Sequence, residues 1–179
     1  MRRYLVLPVL GVCLLLWLVT SGATAVAGGG STYYAGKNSQ GQKLLFTVDH
    51  TASGAKFDPL FLNQVVRCPL SGDVITVQFT FQGVRIPIRN GKFSLAENDF
   101  SAFVRWSGAI ASKKASGKES IDLAAFDNKG HLQGCGAGSL SWTANGLVPA
   151  SAPTATPGAS FVVKVTKGAN GKLHFSVTR

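Results

Sequence analysis

The chain has 179 residues, of which 18 are basic and 8 acidic, giving a formal net charge of +10 alongside three histidines and three cysteines. That length suits one ordinary domain with a real core. The basic residues are scattered rather than clustered with aromatics, which argues against nucleic acid as a partner and for weak, salt-sensitive attraction to other anions.

Arg2 and Arg3 precede an apolar run from Leu5 to Val19, and small residues then end in Ala25-Val26-Ala27. A basic start, a short apolar stretch and an A-x-A site are the three parts of a secretory signal peptide. The run is short for a membrane span and no charged flank follows it. Residues 1–27 are therefore expected to be removed, the alternative being an uncleaved anchor, and the mature chain to begin near Gly28 outside the cytoplasm. Without Arg2 and Arg3, 16 basic residues face 8 acidic ones, a net charge of +8. The anionic partners met in that compartment are cell-wall polymers, acidic glycans and lipid head groups.

From Gly28 onward the pattern is strand, turn, strand, with almost no helical periodicity. Leu44, Phe46 and Val48 alternate with Leu45, Thr47 and Asp49, and Ile75, Val77, Phe79 and Phe81 alternate with Thr76, Gln78 and Thr80. This period of two is the signature of a strand with one face toward a core. Val84, Ile86 and Ile88 alternate with Arg85, Pro87 and Arg89, and Pro87 places that segment at a sheet edge because it cannot donate to a ladder. Asn90-Gly91 predicts a tight hairpin turn, since both residues tolerate positive φ. Ala115-Ser116-Gly117-Lys118 and Asp127-Asn128-Lys129-Gly130 read as further turns, and Ile121, Leu123 and Ala125 with Leu140 and Trp142 continue the strand pattern. A main domain over residues 28–145 is followed by a Pro, Ala, Ser and Thr-rich linker at 146–160. Residues 161–179 form a terminal hairpin, which must dock because a lone hairpin is marginal in water.

Cys13 lies inside the apolar leader, leaving Cys68 and Cys135. Two cysteines in an oxidising compartment make a Cys68–Cys135 disulfide the default, worth about 4 kcal/mol in the chain-entropy description.

Tyr34-Ala35-Gly36-Lys37-Asn38-Ser39-Gln40-Gly41-Gln42, followed by Leu44 to Val48, resembles the opening of a group of exported actinobacterial-type β domains. Members begin Tyr-x-Gly-x-Thr-x-Gln-Gly, and Asn38 stands here in place of the threonine. Val65-Val66-Arg67-Cys68 and the element Cys135-Gly136-Ala137-Gly138-Ser139-Leu140-Ser141-Trp142-Thr143-Ala144 extend the likeness over about Tyr33 to Ala144. The resemblance implies a β-sandwich or jelly-roll-like fold with the two cysteines joined. It carries no activity, because the group has none assigned. An immunoglobulin pattern does not fit: Trp106 follows Cys68 too distantly, and Gln133 occupies the place of the usual tyrosine.

Residues with chemistry are sparse. His131 and Cys135 are four apart, but a structural zinc site needs four ligands in recognisable spacing and the disulfide competes for Cys135, so neither metal nor cofactor is implied. Asp49-His50 with a serine such as Ser139 supplies the letters of a triad without a recognisable nucleophile elbow. The eight carboxylates, among them Glu97, Asp99 and Glu119, read as solvated groups near turns with no pair standing out as a glycosidase would require. Tyr34 and Trp106 are the candidate glycan contacts, through stacking of sugar faces on exposed rings, although the strand parity of Trp106 with Val104 favours a core position. Arg85 and Arg89 on one outward face, and Lys113, Lys114 and Lys118 around the proposed turn, are the candidate contacts to an anionic ligand. The sequence thus predicts an all-β, mainly antiparallel sandwich or flattened barrel with one disulfide. Its expected role is that of a secreted, cell-surface-associated, non-enzymatic module binding an anionic or glycan polymer. A secreted hydrolase with an unrecognised Ser, His and carboxylate site is the alternative.

Overall fold

Alternating apolar and polar residues convert into strand geometry because successive side chains of a strand point to opposite faces. The computed structural model describes residues 30–98, 101–126, 129–147, 161–170 and 172–178. The leader at 1–27 and residues 148–160 of the linker lie outside them. The strands are β1 (Ser31–Asn38), β2 (Lys43–Thr51), β3 (Gly54–Arg67), β4 (Val74–Gln82), β5 (Ile86–Pro87) and β6 (Lys92–Asn98), then β7 (Ala102–Ala111), β8 (Lys114–Phe126), β9 (Leu132–Gly136), β10 (Leu140–Leu147), β11 (Phe161–Lys167) and β12 (Leu173–Thr178).

They form one sheet in the order β12-β11-β4-β3-β2-β1-β10-β8-β7-β6. β9 pairs with β8 and touches β3 at Arg67–Gly136, so the sheet curls into a partial ring. Every pairing is antiparallel except β11 on β4. The all-β, mainly antiparallel architecture with one disulfide is as the sequence predicts, and Cys68 and Cys135, 67 positions apart in sequence, are bonded. The terminal hairpin is docked on β4, where Val163, Val165 and Leu173 join the core.

The inner face of the ring is an aromatic core. Phe57 stacks on Phe93 with ring centroids 3.8 Å apart, Phe46 sits 4.7 Å from Phe57, and Trp106 meets Trp142 edge-on at 6.2 Å. Gly108 and Gly117 face one another across β7 and β8 beneath the Trp142 indole. A Cβ on either would enter that ring, so the pair exists to let the tryptophan lie flat on the sheet.

The turn chemistry is met at Asn90-Gly91, with φ of 51° and 71°. Arg89 and Lys92 exchange both backbone hydrogen bonds, at 2.8 and 2.9 Å, which closes a two-residue hairpin. The turn expected at Ala115 to Lys118 is not there. Those residues lie inside β8, and the chain reverses earlier, at Ser112-Lys113, where Ser112 takes a φ of 55°. Of the residues that suggested a turn, Gly117 instead lies under Trp142, and Ser116 and Lys118 belong to the outer face. The run from Val84 to Arg89 also contracts, to Ile86-Pro87 paired with Phe57 and Lys56 of β3, with Pro87 exposed at the edge. Gly146 and Leu147, placed in the linker by composition, complete β10.

Candidate functional site

The strand pleat sorts side chains of β6, β7, β8, β10 and β1 between the aromatic core and an outer face. On that outer face the register lines up Lys92, Ala109, Ser116, Thr143 and Lys37 across five strands, from β6 to β1. At roughly 4.8 Å per strand the row spans about 19 Å. A neighbouring row holds Ser94, Ser107, Lys118 and Ser141. Between the cations, therefore, the floor is alanine, serine and threonine, side chains too short to obstruct a ligand lying across the strands.

Two clefts are cut into this face. One, of about 740 Å³, lies between the β5–β6 hairpin and the outer surface of β7 and β8, with Arg89, Lys92 and Lys118 in its lining. The second, of about 360 Å³, is lined by Lys114, Thr143 and Asn145. Ala109 and Ser116 belong to both, so the two adjoin. Neither lining contains a carboxylate. Arg105 extends the positive character along β7, its guanidinium 5.1 Å from the centroid of Phe103.

The structure brings three of the five expected cations, Arg89, Lys114 and Lys118, to one face and adds Lys92. Lys113 turns to the other side of the sheet, at the end of the ring. Arg85 is a correction: it is not unopposed, because its Nε lies 3.4 Å from Asp58 Oδ2 and its Nη2 4.0 Å from Asp49 Oδ2. Asp58 carries a raised pKa, chiefly from burial and then from Asp49, with Arg85 pulling the other way.

Both glycan candidates are buried rather than exposed. Trp106 has 0% exposure, and Tyr34 is buried with its ring stacked on Phe46 at 5.0 Å. Their even-numbered positions put them on the inner faces of β7 and β1, so neither presents an exposed ring face on which a sugar could stack. The Tyr34 hydroxyl donates to the Ser112 carbonyl at 2.6 Å, and burial raises its pKa.

No triad assembles at Asp49-His50, since adjacent strand residues point to opposite faces. Asp49 Oδ1 accepts from the Ser31 and Thr47 hydroxyls at 2.6 and 3.4 Å, while His50, His131 and His174 are exposed. Among the described residues no group of three His, Cys, Asp or Glu side chains is arranged to hold a metal. Asp99 lies outside the described residues.

One carboxylate expected to be solvated is buried instead. Glu119 is 1% exposed, on the inner face between Gly117 and Ile121. Its Oε1 accepts a 2.8 Å hydrogen bond from Asn38 Nδ2, which also reaches the Asn63 carbonyl at 3.1 Å. Burial pushes the carboxyl pKa up to about 7, against the opposing hydrogen bond from Asn38. Its Oε2, both amide atoms of Gln64 and the indole nitrogens of Trp106 and Trp142 find no partner among the described residues. The alternation of Ile121 and Leu123 was the available signal, because it assigns residue 119 to the same inward face.

Neither protein-family models nor curated proteins nor solved structures give a match to this chain.

Proposed function

We propose that this chain is an exported, envelope-associated binding module that holds an anionic polymer across the outer face of β6, β7, β8 and β10. The observation that carries this reading is the pair of adjoining clefts with Arg89, Lys92, Lys114 and Lys118 in their lining and no carboxylate among them. A small-residue floor between rows of cations suits an extended chain of repeating negative charges, whose attraction to such a face is long-range and screened by salt. Export is supported by the leader pattern at 1–27, and the Cys68–Cys135 disulfide accords with an oxidising compartment.

The test is retention on isolated cell-wall material and on immobilised polyphosphate. Replacing Lys92, Lys114 and Lys118 together with Gln lowers the salt concentration needed for elution from both, while Arg85→Gln, already occupied by Asp58, leaves it unchanged. Equal elution of wild type and triple variant rejects the reading. Mass spectrometry of the exported protein is expected to find a start near Gly28, and an intact Met1 in a membrane fraction contradicts export by cleavage.

A further inference from the structure

A separate concavity opens at the end of the ring where β1 and β3 begin and β2 and β7 finish. It has a volume of about 540 Å³, and its walls are Tyr34, Val48, Ala55, Ile88 and Ile110. A mainly apolar pocket of this size with a few polar groups at one edge has the form of a small-molecule site. The walls are preformed. Tyr34 is held by its stack on Phe46 and by the hydrogen bond from its hydroxyl to the Ser112 carbonyl.

The polar residues of the lining include Thr32, His50, Ser112 and Lys113, and the lining contains no carboxylate. Lys113 is fixed there through its backbone, because its carbonyl accepts from Gly146 N–H at 2.7 Å, while its side chain is exposed. Asp49, the acid next to His50 in sequence, points to the opposite face, where Ser31 and Arg85 engage it. An apolar interior with a cation at its lip is complementary to a molecule with an apolar tail and one negative head.

We propose that this mouth binds a single-chain amphipathic anion, with its acyl tail against Val48, Ala55, Ile88 and Ile110 and its carboxylate at Lys113. The pocket shares no lining residue with the outer clefts. Binding here and polymer binding there therefore stand or fall separately.

Isothermal titration with octanoate, decanoate and laurate tests it, with dodecyltrimethylammonium as the cationic counterpart. One-site binding is expected, tightening about fourfold for each added methylene as more tail is buried, and the ammonium fails to displace laurate. Lys113→Gln weakens laurate roughly three- to fivefold, the scale of one exposed charge pair, and leaves the chain-length increment intact. Ala55→Trp fills the pocket and abolishes binding, and Ile88→Trp serves the same purpose where Ala55→Trp does not fold, with thermal melting confirming a native fold. Absence of saturable binding, equal affinity for the ammonium, or unchanged laurate binding by a folded, filled variant overturns the proposal.

Discussion

Glu119→Gln isolates the electrostatic cost of the buried carboxyl. In the folded protein Glu119 holds its proton up to about pH 7, against an ordinary value of 4.5. Between those values the native state binds a proton that the unfolded state has released, so the unfolded state binds fewer protons and stability falls as pH rises. The loss begins above pH 4.5 and is complete above pH 7. At about 1.4 kcal/mol per pH unit, the gap corresponds to about 3 kcal/mol. Glutamine retains an oxygen to accept from Asn38 Nδ2 but does not titrate. The variant is therefore expected to track wild type at pH 4.5 apart from a constant offset and to gain about 3 kcal/mol relative to it by pH 8. For a domain of this size that is roughly 6–12 °C in Tm. Asp58, also raised by burial, contributes the same slope to both proteins and cancels in the difference. Urea unfolding from pH 4.5 to 8, followed by the fluorescence of the buried Trp106 and Trp142 with the disulfide intact, is the assay. Parallel stability profiles for the two proteins, or a difference that shrinks as pH rises, refute the reasoning.

Gly117→Ala is expected to cost about 1–3 kcal/mol, because the added methyl collides with Trp142 and the Ser107 backbone; denaturant midpoints with an unchanged m-value check it. Replacing Cys68 and Cys135 together with Ala lowers stability by about 4 kcal/mol through the released 67-position loop, read from the same titrations. Tyr34→Phe removes one hydrogen bond, to Ser112 O, and costs about 1 kcal/mol, with melting curves compared at fixed pH.

Much of the fold was legible because local and global signals agree in most segments. Alternation in Leu44 to Val48 and Ile75 to Phe81 marks strands that are strands, and Asn90-Gly91 occupies the one geometry that favours it. Where sequence misleads, a residue serves a distant partner. Ala115 to Lys118 is turn-like in composition, yet Gly117 is small on account of Trp142 on a strand that arrives about 25 residues later. The short strand β9 has no alternation strong enough to announce it, and its pairing with β3 at Arg67 and Gly136 was signalled only by the neighbouring Cys68 and Cys135.

The site was legible in part for the same reason. Arg89, Lys114 and Lys118 could be named as exposed cations, but only the register of β6 on β7 and β7 on β8 shows that Lys92 belongs with them. The same register could not be read in advance to show that Asp49 and Asp58 flank Arg85. Tyr34 and Trp106 attract attention as aromatics, and the period of two decides against them. Glu119 was open to the same parity reasoning, and its charge obscured it.

If an anionic polymer is held on the outer face through Lys92, Lys114 and Lys118, the affinity for polyphosphate across a salt series reports it, because each cation that pairs with the polymer releases bound counterions and steepens the dependence of log K on log salt. The Lys92, Lys114 and Lys118 to Gln variant is expected to bind more weakly at low salt and to show a slope shallower by about 2, near 0.7 per lost contact. A slope and affinity equal to those of wild type would contradict it.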